Sequence, residues 1–258
     1  MRGWLSRVHK LDIDNLCAYE GLTGSARKRS INPLTAYLDG LAWDGKPRCE
    51  NLLRRYLGAS GKVVDEIGIL WLISAVARAY RPGCKADHVL ILEGKQGIGK
   101  STALRILGGE FFTDELPPMG DKDASLSMRG VWIVEIAELE SMTKTSVAKA
   151  KSFLTMTWDR FRPPYGKHIV AQPRGCVFAG STNQSVYLQD ETGNRRFWPV
   201  RCAKMNTEQL AIDRDQIWAE AVVLYRSGKN WHPTSKISHS LEKETESRTQ
   251  RDPWGDTI

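Results

Sequence analysis

The stretch HVLILEGKQGIGKS, residues 88–101, decides the fold of this chain. Its first six residues form a short continuous run of the strand type, and its last eight match the pattern G-x-x-x-x-G-K-[ST]. In that pattern the glycines allow backbone N–H groups to wrap phosphate oxygens, and the helix that begins near Lys100 points its positive end at the anion. A strand, a glycine loop and a helix in this order predict an α/β fold that binds a nucleotide.

The glycine loop also predicts which residues hold the nucleotide. Lys100 is expected to reach the β- and γ-phosphates, and the Ser101 hydroxyl is expected to bind Mg²⁺. ATP and Mg²⁺ are therefore the expected cofactors. The predicted nucleotide-binding residues are Gly94, Gln96, Gly97, Ile98, Gly99, Lys100, Ser101 and Thr102.

Two acids follow a second apolar run, residues 131–134. Glu135 comes directly after the run, and Glu138 lies three residues further on. A carboxylate at the tip of a neighbouring parallel strand can hold the water shell of a magnesium ion, while a second one can act as a base. We assign Glu135 to the metal and Glu138 to the attacking water; the alternative is two ordinary surface acids.

A third apolar run, residues 176–180, leads to Ser181, Thr182 and Asn183. The uncharged amide of Asn183 would sense the γ-phosphate or the attacking water at the same edge of the sheet. An Asn after a strand is otherwise a common turn residue.

Paired arginines precede the next strand, at Arg195 and Arg196. An arginine offered to the γ-phosphate of a neighbouring subunit speeds phosphoryl transfer in many ring ATPases. Arg196 is the first candidate for this role and Arg195 the second; a salt-bridged surface pair is the alternative.

Residues 158–170 alternate cationic and aromatic side chains around a Pro-Pro-Tyr-Gly turn. A hairpin or protruding loop of this composition suits a nucleic-acid strand, although a solvated basic loop is the alternative. The predicted DNA-binding residues are Arg160, Arg162, Tyr165, Lys167 and His168.

Composition divides the chain into four segments. These are an N-terminal arm or linker (1–30), a small helical domain (31–86), a P-loop core (87–231) and a polar tail (232–258) that either docks onto the body or leads into a further domain. Further strands are predicted at 131–135, 175–181 and 197–201, and helices at 63–80, 144–155 and 208–227.

The formal net charge of +7 favours a polyanionic partner. Five widely spaced cysteines without a Cys-x-x-Cys pair suggest neither a zinc site nor disulfides. The most apolar run, residues 67–79, is shorter than the ~20 residues of a membrane-spanning helix, and no secretory signal is visible near the start. We expect a protein of the bacterial host cytoplasm with no membrane partner.

Five motifs together resemble those of the virulence-associated protein E family of phage and mobile-element proteins, whose motor is similar to superfamily 3 helicases such as the papillomavirus replicative helicase. The motifs are WDGKPR (43–48), QGIGKS (96–101), WIVE (132–135), RPPYG (162–166) and TGNRRFWP (192–199).

The resemblance implies an AAA+-like α/β core with a parallel sheet, a hexameric ring with ATP at the subunit interfaces, and a hairpin that moves along single-stranded DNA. Lys167 and His168 resemble the hairpin tip pair of the viral helicases. The chain departs from the pattern at Ile136, where many AAA+ proteins place the catalytic carboxylate. It also shows no primase domain, which relatives often carry, so the expectation is either a fragment of a longer protein or a stand-alone motor, with a primase or another replication protein as a candidate partner.

The leading hypothesis from the sequence is an ATP-dependent DNA translocase or helicase that serves replication of a phage or integrated element. A nucleotide-switched DNA-binding or loading factor is the second hypothesis, and a small-molecule P-loop kinase is the third.

Overall fold

The computed structural model describes residues 7–8, 14–28, 31–119, 121–137, 144–163, 168–188 and 193–249. The helices are α1 Asn15–Lys28, α2 Pro33–Asp39, α3 Leu52–Leu57, α4 Val64–Tyr80, α5 Lys100–Gly108, α6 Lys122–Ser127, α7 Lys144–Thr155, α8 Thr207–Arg226 and α9 Ser235–Glu246. The strands are β1 Val89–Glu93, β2 Phe112–Thr113, β3 Ile133–Ile136, β4 Trp158–Phe161, β5 Val170–Pro173, β6 Val177–Thr182 and β7 Phe197–Arg201.

Five strands form one parallel sheet in the order β2-β3-β6-β1-β7, and β4 pairs with β5 in a separate antiparallel hairpin. Strands β1, β3 and β6 are buried along their whole length, as expected for a sheet covered on both faces. β1 lies between β6 and β7, so the chain crosses over on either side of it. Ligands of open α/β sheets bind beyond the carboxyl ends of the strands at such a point.

Buried tryptophans attach the helices to the sheet. Trp71 of α4 donates its ring N–H to the carbonyl of Phe178 in β6 (2.9 Å), and Trp132 donates to Ala75 of α4 (2.8 Å). Trp218 of α8 packs against the Trp132 ring, with 4.1 Å between ring centroids. Each indole N–H has a partner, so these large side chains add apolar burial without an unpaired donor. Helices α3 and α4 therefore belong to the same compact unit as the sheet, Leu38–Ile258.

The WDGKPR motif is a structural connection to α8. Asp44 accepts two hydrogen bonds from the Arg48 guanidinium, both at 2.8 Å, while Glu220 of α8 accepts the backbone N–H groups of Arg48 and Cys49. The Arg48 guanidinium also lies 3.3 Å from Asp213 of α8. The motif thus fixes the chain before α3 onto α8, and the charges of Asp44 and Arg48 are paired within the fold.

Residues 1–37 form a second unit. The segment predicted as an arm or linker contains α1, which extends through the Gly24–Lys28 part of the basic run. Asp14 explains the start of this helix, because its carboxylate accepts the backbone N–H of Cys17 at 2.7 Å in the manner of an N-cap.

The polar tail contains a helix that the sequence analysis did not predict. Leu241, Thr245 and Arg248 are buried and recur at helical spacing, so one face of α9 and of the turn after it docks onto the body. The pattern was missed because two of these three residues are polar. Among the residues that are described, no helix combines the length and the apolar character needed to cross a membrane.

The fold class predicted from the sequence is confirmed: an α/β core with a parallel sheet carries the P-loop, and helices precede it in the chain. β7 and α7 have the predicted bounds, and the other predicted strands and helices differ by one or two residues at one or both ends.

Candidate nucleotide-binding site

The glycine loop connects the end of β1 to the start of α5. Gly97 (φ +81°) and Gly99 (φ +97°) adopt left-handed conformations that favour glycine. A Cβ on Gly94 would lie 2.7 Å from the Ile98 side chain and 2.9 Å from the carbonyl of Cys202. The glycines are therefore required by backbone geometry and close packing, and the loop leads directly into the N-terminus of α5.

Lys100 and Asn183 meet at the carboxyl edge of the sheet. The Lys100 ammonium donates to the carbonyls of Gly94 (2.8 Å) and Lys95 (2.9 Å) and to Oδ1 of Asn183 (2.9 Å). Asn183 follows β6, and the glycine loop that leads to Lys100 follows β1. Because β1 and β6 are parallel neighbours, their carboxyl ends lie side by side and Lys100 and Asn183 are close together. The structure therefore joins the loop lysine to the residue that the sequence analysis chose as a sensor.

Ser101 and Glu135 form the second contact of the site. Oε1 of Glu135 accepts hydrogen bonds from the Ser101 and Ser181 hydroxyls, both at 2.7 Å. Oε2 of the same carboxylate is buried and has no hydrogen-bond partner among the described residues. Ser181 was missed by sequence reasoning; its position at the end of the β6 run was the available signal.

The donor set at Glu135 fits a magnesium ion. Mg²⁺ prefers oxygen ligands and is commonly held by one or two carboxylates, waters and phosphate oxygens. A buried carboxylate oxygen without a partner, beside the Ser101 hydroxyl, offers such ligands. A cavity of about 360 Å³ adjoins the two serines that bond to Glu135, and Gln96, Lys100, Ser101, Ser181 and Asn183 are among the residues that line it. Glu138 falls outside the described residues, and its role as a base stays a prediction.

The arginine pair lies at the opposite end of the sheet. Arg195 and Arg196 precede β7, whose first residue is in register with Val89 at the start of β1. The length of β1 therefore separates them from the glycine loop, on the order of 13 Å at ~3.3 Å per residue. Arg195 is exposed, whereas Arg196 donates to the carbonyl of Gly193 (3.2 Å) and lies 3.8 Å from Asp87.

A second cavity, of about 670 Å³, adjoins the arginine pair. It lies between the turn at residues 193–196 and α9, and Glu242, Thr245 and Thr249 contribute to its walls. Two buried polar atoms of this turn, Oδ1 of Asn194 and Nε of Arg196, have no hydrogen-bond partner within the described part of the chain. The turn therefore retains hydrogen-bonding capacity that the described fold does not use.

The β4–β5 hairpin carries the predicted DNA-binding residues that the structure describes. Arg160, Arg162 and His168 are exposed, and the exposed Trp158 lies on the same face of β4 as Arg160. Tyr165 and Lys167 fall outside the described residues. The hairpin thus presents cations together with the aromatic ring of Trp158. The sequence analysis includes Trp158 in this segment but does not name it as a DNA-binding residue.

A buried ion pair fixes the base of this hairpin. Asp159 accepts from the Arg174 guanidinium at 3.0 and 2.5 Å, and Arg174 also donates to the carbonyl of Phe153 (2.6 Å). Arg174 stacks over the Phe153 ring at 4.5 Å. Side chains alternate between the two faces of β4, so Asp159 points into the core and Arg160 points outward. The exposed cations therefore lie on a strand whose inner face is held by the buried ion pair.

Comparison with solved structures supports the fold. Two apo structures of the NrS-1 C-terminal region match with TM-scores of 0.51 each, at 15% and 17% sequence identity. The matches cover 81% and 80% of this chain but 53% and 54% of those chains, so this chain spans about half the length of the structures it matches.

Comparison with protein families gives the relationship. No curated protein matches the chain significantly. Residues 38–250 match the virulence-associated protein E-like domain, a span that contains the glycine loop, the acidic strand, the hairpin and the arginine pair. The chain therefore belongs to the virulence-associated protein E-like family.

Proposed function

We propose that this chain is the ATP-hydrolysing motor of a DNA translocase or helicase, acting in the replication of a phage or mobile element. The observation that carries the proposal is the meeting of Lys100, Ser101, Glu135 and Asn183 at the carboxyl ends of β1, β3 and β6. A cation for phosphate, oxygen ligands for magnesium and a neutral amide are the groups that phosphoryl transfer to water requires.

The contacts of Lys100 suggest how the site responds to a nucleotide. Its ammonium has three donors, and three acceptors of the protein occupy them. A phosphate oxygen would replace at least one of these acceptors. Loss of the contact with Asn183 would leave its amide available to the γ-phosphate or to the attacking water, so Asn183 would report whether the third phosphate is present.

Ser101 and Glu135 would hold the magnesium ion. Bound Mg²⁺ would neutralise charge that develops on the phosphates during transfer. Ser181 orients the Glu135 carboxylate by its bond to Oε1, and Oε2, which has no hydrogen-bond partner among the described residues, would serve the metal or its water shell. Glu138 remains the candidate base for the attacking water.

An arginine from a neighbouring copy would complete the site. Because the arginine pair is separated from its own glycine loop by the length of β1, it is better placed to serve another subunit in a ring, which we take to be a hexamer. The exposure of Arg195 favours it as the residue that reaches across, while Arg196, bonded to Gly193, would shape the turn. We therefore prefer Arg195 to Arg196 for this role, the reverse of the order given by the sequence analysis.

The hairpin would carry the DNA strand. Arg160, Arg162 and His168 would contact phosphates, and Trp158 would offer a ring for base stacking. Its rigid base at Asp159 and Arg174 would transmit movement of the core to the strand. Tyr165 and Lys167 belong to the same proposal on sequence grounds.

The test is the ATPase rate of the full chain with and without single-stranded DNA. We expect DNA to stimulate turnover and Lys100→Ala to abolish it, while Lys229→Ala, which removes an exposed lysine elsewhere, leaves it unchanged. An ATPase rate that is the same with and without DNA, or that is unchanged in Lys100→Ala, would contradict the proposal. Binding and assembly without strand displacement would instead indicate a loading factor.

A further inference from the structure

Glu93 is a buried acid at the start of the glycine loop. It is the last residue of β1 and directly precedes Gly94, and it is only 5% exposed. Its carboxylate accepts hydrogen bonds from the Tyr187 hydroxyl (2.9 Å) and from the Arg248 guanidinium (2.8 and 3.0 Å). A charged group so placed in a parallel sheet needs such partners, because burial without them is costly.

Arg248 comes from the far end of the described chain. It follows α9, is 3% exposed, and also donates to the carbonyl of Glu244 (2.7 Å) and to the Glu244 carboxylate. Burial by itself lowers the pKa of Arg248, but its bonds to Glu93 and Glu244 outweigh burial and raise the pKa above its ordinary value. The guanidinium thus remains charged and holds Glu93 with the two-pronged geometry that fixes a carboxylate in direction as well as in position.

The same contact reaches the sensor loop. Tyr187 lies four residues after Asn183, and its hydroxyl bonds to the carboxylate oxygen that Arg248 Nε also contacts. The backbone N–H groups of Tyr187 and Leu188 both donate to the carbonyl of Arg248 at 3.0 Å. Burial first, and then the charge of Glu93, raise the pKa of Tyr187, so its hydroxyl stays a donor.

The adjacent residue, Thr249, extends these contacts to the arginine turn. Its hydroxyl oxygen accepts from Nδ2 of Asn194 at 3.1 Å, one residue before Arg195. Arg248 therefore contacts both the end of β1, where the glycine loop begins, and the loop that follows Asn183. Thr249 contacts the turn that carries the two arginines.

We propose that Arg248 is a positioning residue of the nucleotide site, which acts through Glu93 to hold the start of the glycine loop. The inference rests on the proposed nucleotide site. In this arrangement the segment after α9 helps to hold the glycine loop in the conformation that binds phosphate. A guanidinium fork is required, because a lysine at this position supplies charge without the two parallel bonds.

The first test measures the affinity for ADP in the presence of Mg²⁺ by calorimetry on the full chain. We expect Arg248→Lys to weaken ADP binding about tenfold, by analogy with the loss on removing the outer partner of a metal ligand. The matched control is Arg48→Lys, because Arg48 is also a buried arginine that donates two hydrogen bonds to one carboxylate, Asp44. Its other partners belong to the WDGKPR motif and α8, not to the glycine loop. That variant should keep its ADP affinity within about twofold of the wild type, even where its thermal midpoint falls.

A double variant separates positioning from stability. Removing one partner of a buried ion pair destabilises a protein strongly because it leaves an uncompensated buried charge, whereas removing both charges avoids that cost. Glu93→Gln with Arg248→Gln should therefore recover most of the thermal stability lost by Arg248→Gln alone, while its affinity for ADP stays low. If the affinity returns together with the stability, Arg248 is a structural residue only and the proposal is overturned.

The outcomes distinguish the two proposals. Arg248→Lys protein that binds ADP as tightly as Arg48→Lys protein would overturn the positioning role alone. Wild-type protein that binds no ADP would overturn both the nucleotide site and the inference built on it.

Discussion

Gly97 provides a test of the glycine loop that separates backbone strain from phosphate binding. Its φ of +81° disfavours any other residue, and, apart from its chain neighbours, no described residue has an atom within 4 Å of an added Cβ. Gly97→Ala should therefore cost about 1 kcal/mol of the free energy of unfolding through strain alone. The new methyl group would also occupy the open space beside the loop, so we expect ADP binding to weaken markedly, as measured by calorimetry.

Gly130 supplies the control for this experiment. Its φ is +75°, and no atom lies within 4 Å of an added Cβ there either, but it belongs to the turn before β3. Gly130→Ala should lose a similar free energy of unfolding and bind ADP normally. Equal effects of the two substitutions on ADP binding would indicate that the loop does not face a phosphate.

His88 predicts a pH dependence of stability. The ring stacks on Trp198, with 4.2 Å between ring centroids, and burial lowers the pKa of His88 from 6.5 to about 4, against the opposing charge of Asp87. Below pH 6.5 the unfolded chain takes up a proton that the folded chain resists. The stability that His88 contributes is therefore complete above pH 6.5 and is lost as the pH falls towards 4.

The measurement is the urea midpoint between pH 7 and pH 4.5. His88→Phe keeps the stacking on Trp198 and removes the titrating group, so its midpoint should fall less over this range than that of the wild type. Parallel curves for the two proteins would show that His88 is protonated equally readily in the folded and unfolded chains.

At the residue scale, a motif or the end of a strand is enough to predict where along the sheet a side chain lies. Lys100 and Ser101 follow from the loop pattern, and Glu135 and Asn183 follow from apolar runs that end at one edge of a parallel sheet. Glu93 and Arg248 could not be paired in this way, because 154 intervening residues separate them and their contact depends on how α9 docks. Long-range polar contacts of this kind leave no periodic signal.

At the scale of elements, the β4–β5 hairpin has two kinds of residue: buried ones that stabilise it, and exposed ones that would contact DNA. Asp159→Ala leaves Arg174 buried without its carboxylate, so we expect a loss of about 3 to 5 kcal/mol of the free energy of unfolding. The denaturant midpoint measures this effect. A loss below about 1 kcal/mol would mean that the ion pair does not hold the hairpin base.

Arg160 should behave in the opposite way. It is exposed on the outer face of β4, so Arg160→Ala should change stability by less than about 0.5 kcal/mol. If Arg160 neutralises one phosphate, the slope of log affinity for single-stranded DNA against log salt should fall in magnitude by about 0.7. Lys229→Ala removes one positive charge elsewhere and should leave that slope unchanged; equal slopes in both variants would place Arg160 outside the DNA contact.

Element boundaries show why α9 escaped prediction while α4 did not. Val64–Tyr80 is almost entirely buried and apolar, so its composition is enough to identify it. The buried face of α9 and the turn after it combines Leu241 with Thr245 and Arg248, whose partners are carbonyls and the Glu93 carboxylate. A polar face can be buried when every group on it is bonded, and hydrophobic periodicity does not detect that case.

At the scale of the whole molecule, the distance between the arginine pair and the glycine loop supports the proposal that one chain would contribute residues to two different sites. The glycine loop and Glu135 lie at the carboxyl edge of the sheet, and Arg195 lies at the amino edge. In a ring, the amino edge of one copy can meet the carboxyl edge of the next, which is a head-to-tail contact. Each hydrolysis site would then need residues from two copies.

This arrangement makes a prediction about mixtures of two inactive variants. Lys100→Ala removes the loop lysine, and Arg195→Ala removes the exposed arginine, so each variant alone should lose at least about a thousandfold in ATPase rate. In rings assembled from equal amounts of both, about a quarter of the interfaces pair an intact loop with an intact arginine, and activity should recover to about a quarter of the wild-type rate. A mixture as inactive as its components would show that no site is shared between copies. Arg195→Ala protein that keeps its activity would return the role to Arg196, and the same mixing experiment with Arg196→Ala would then decide whether that arginine acts across the interface.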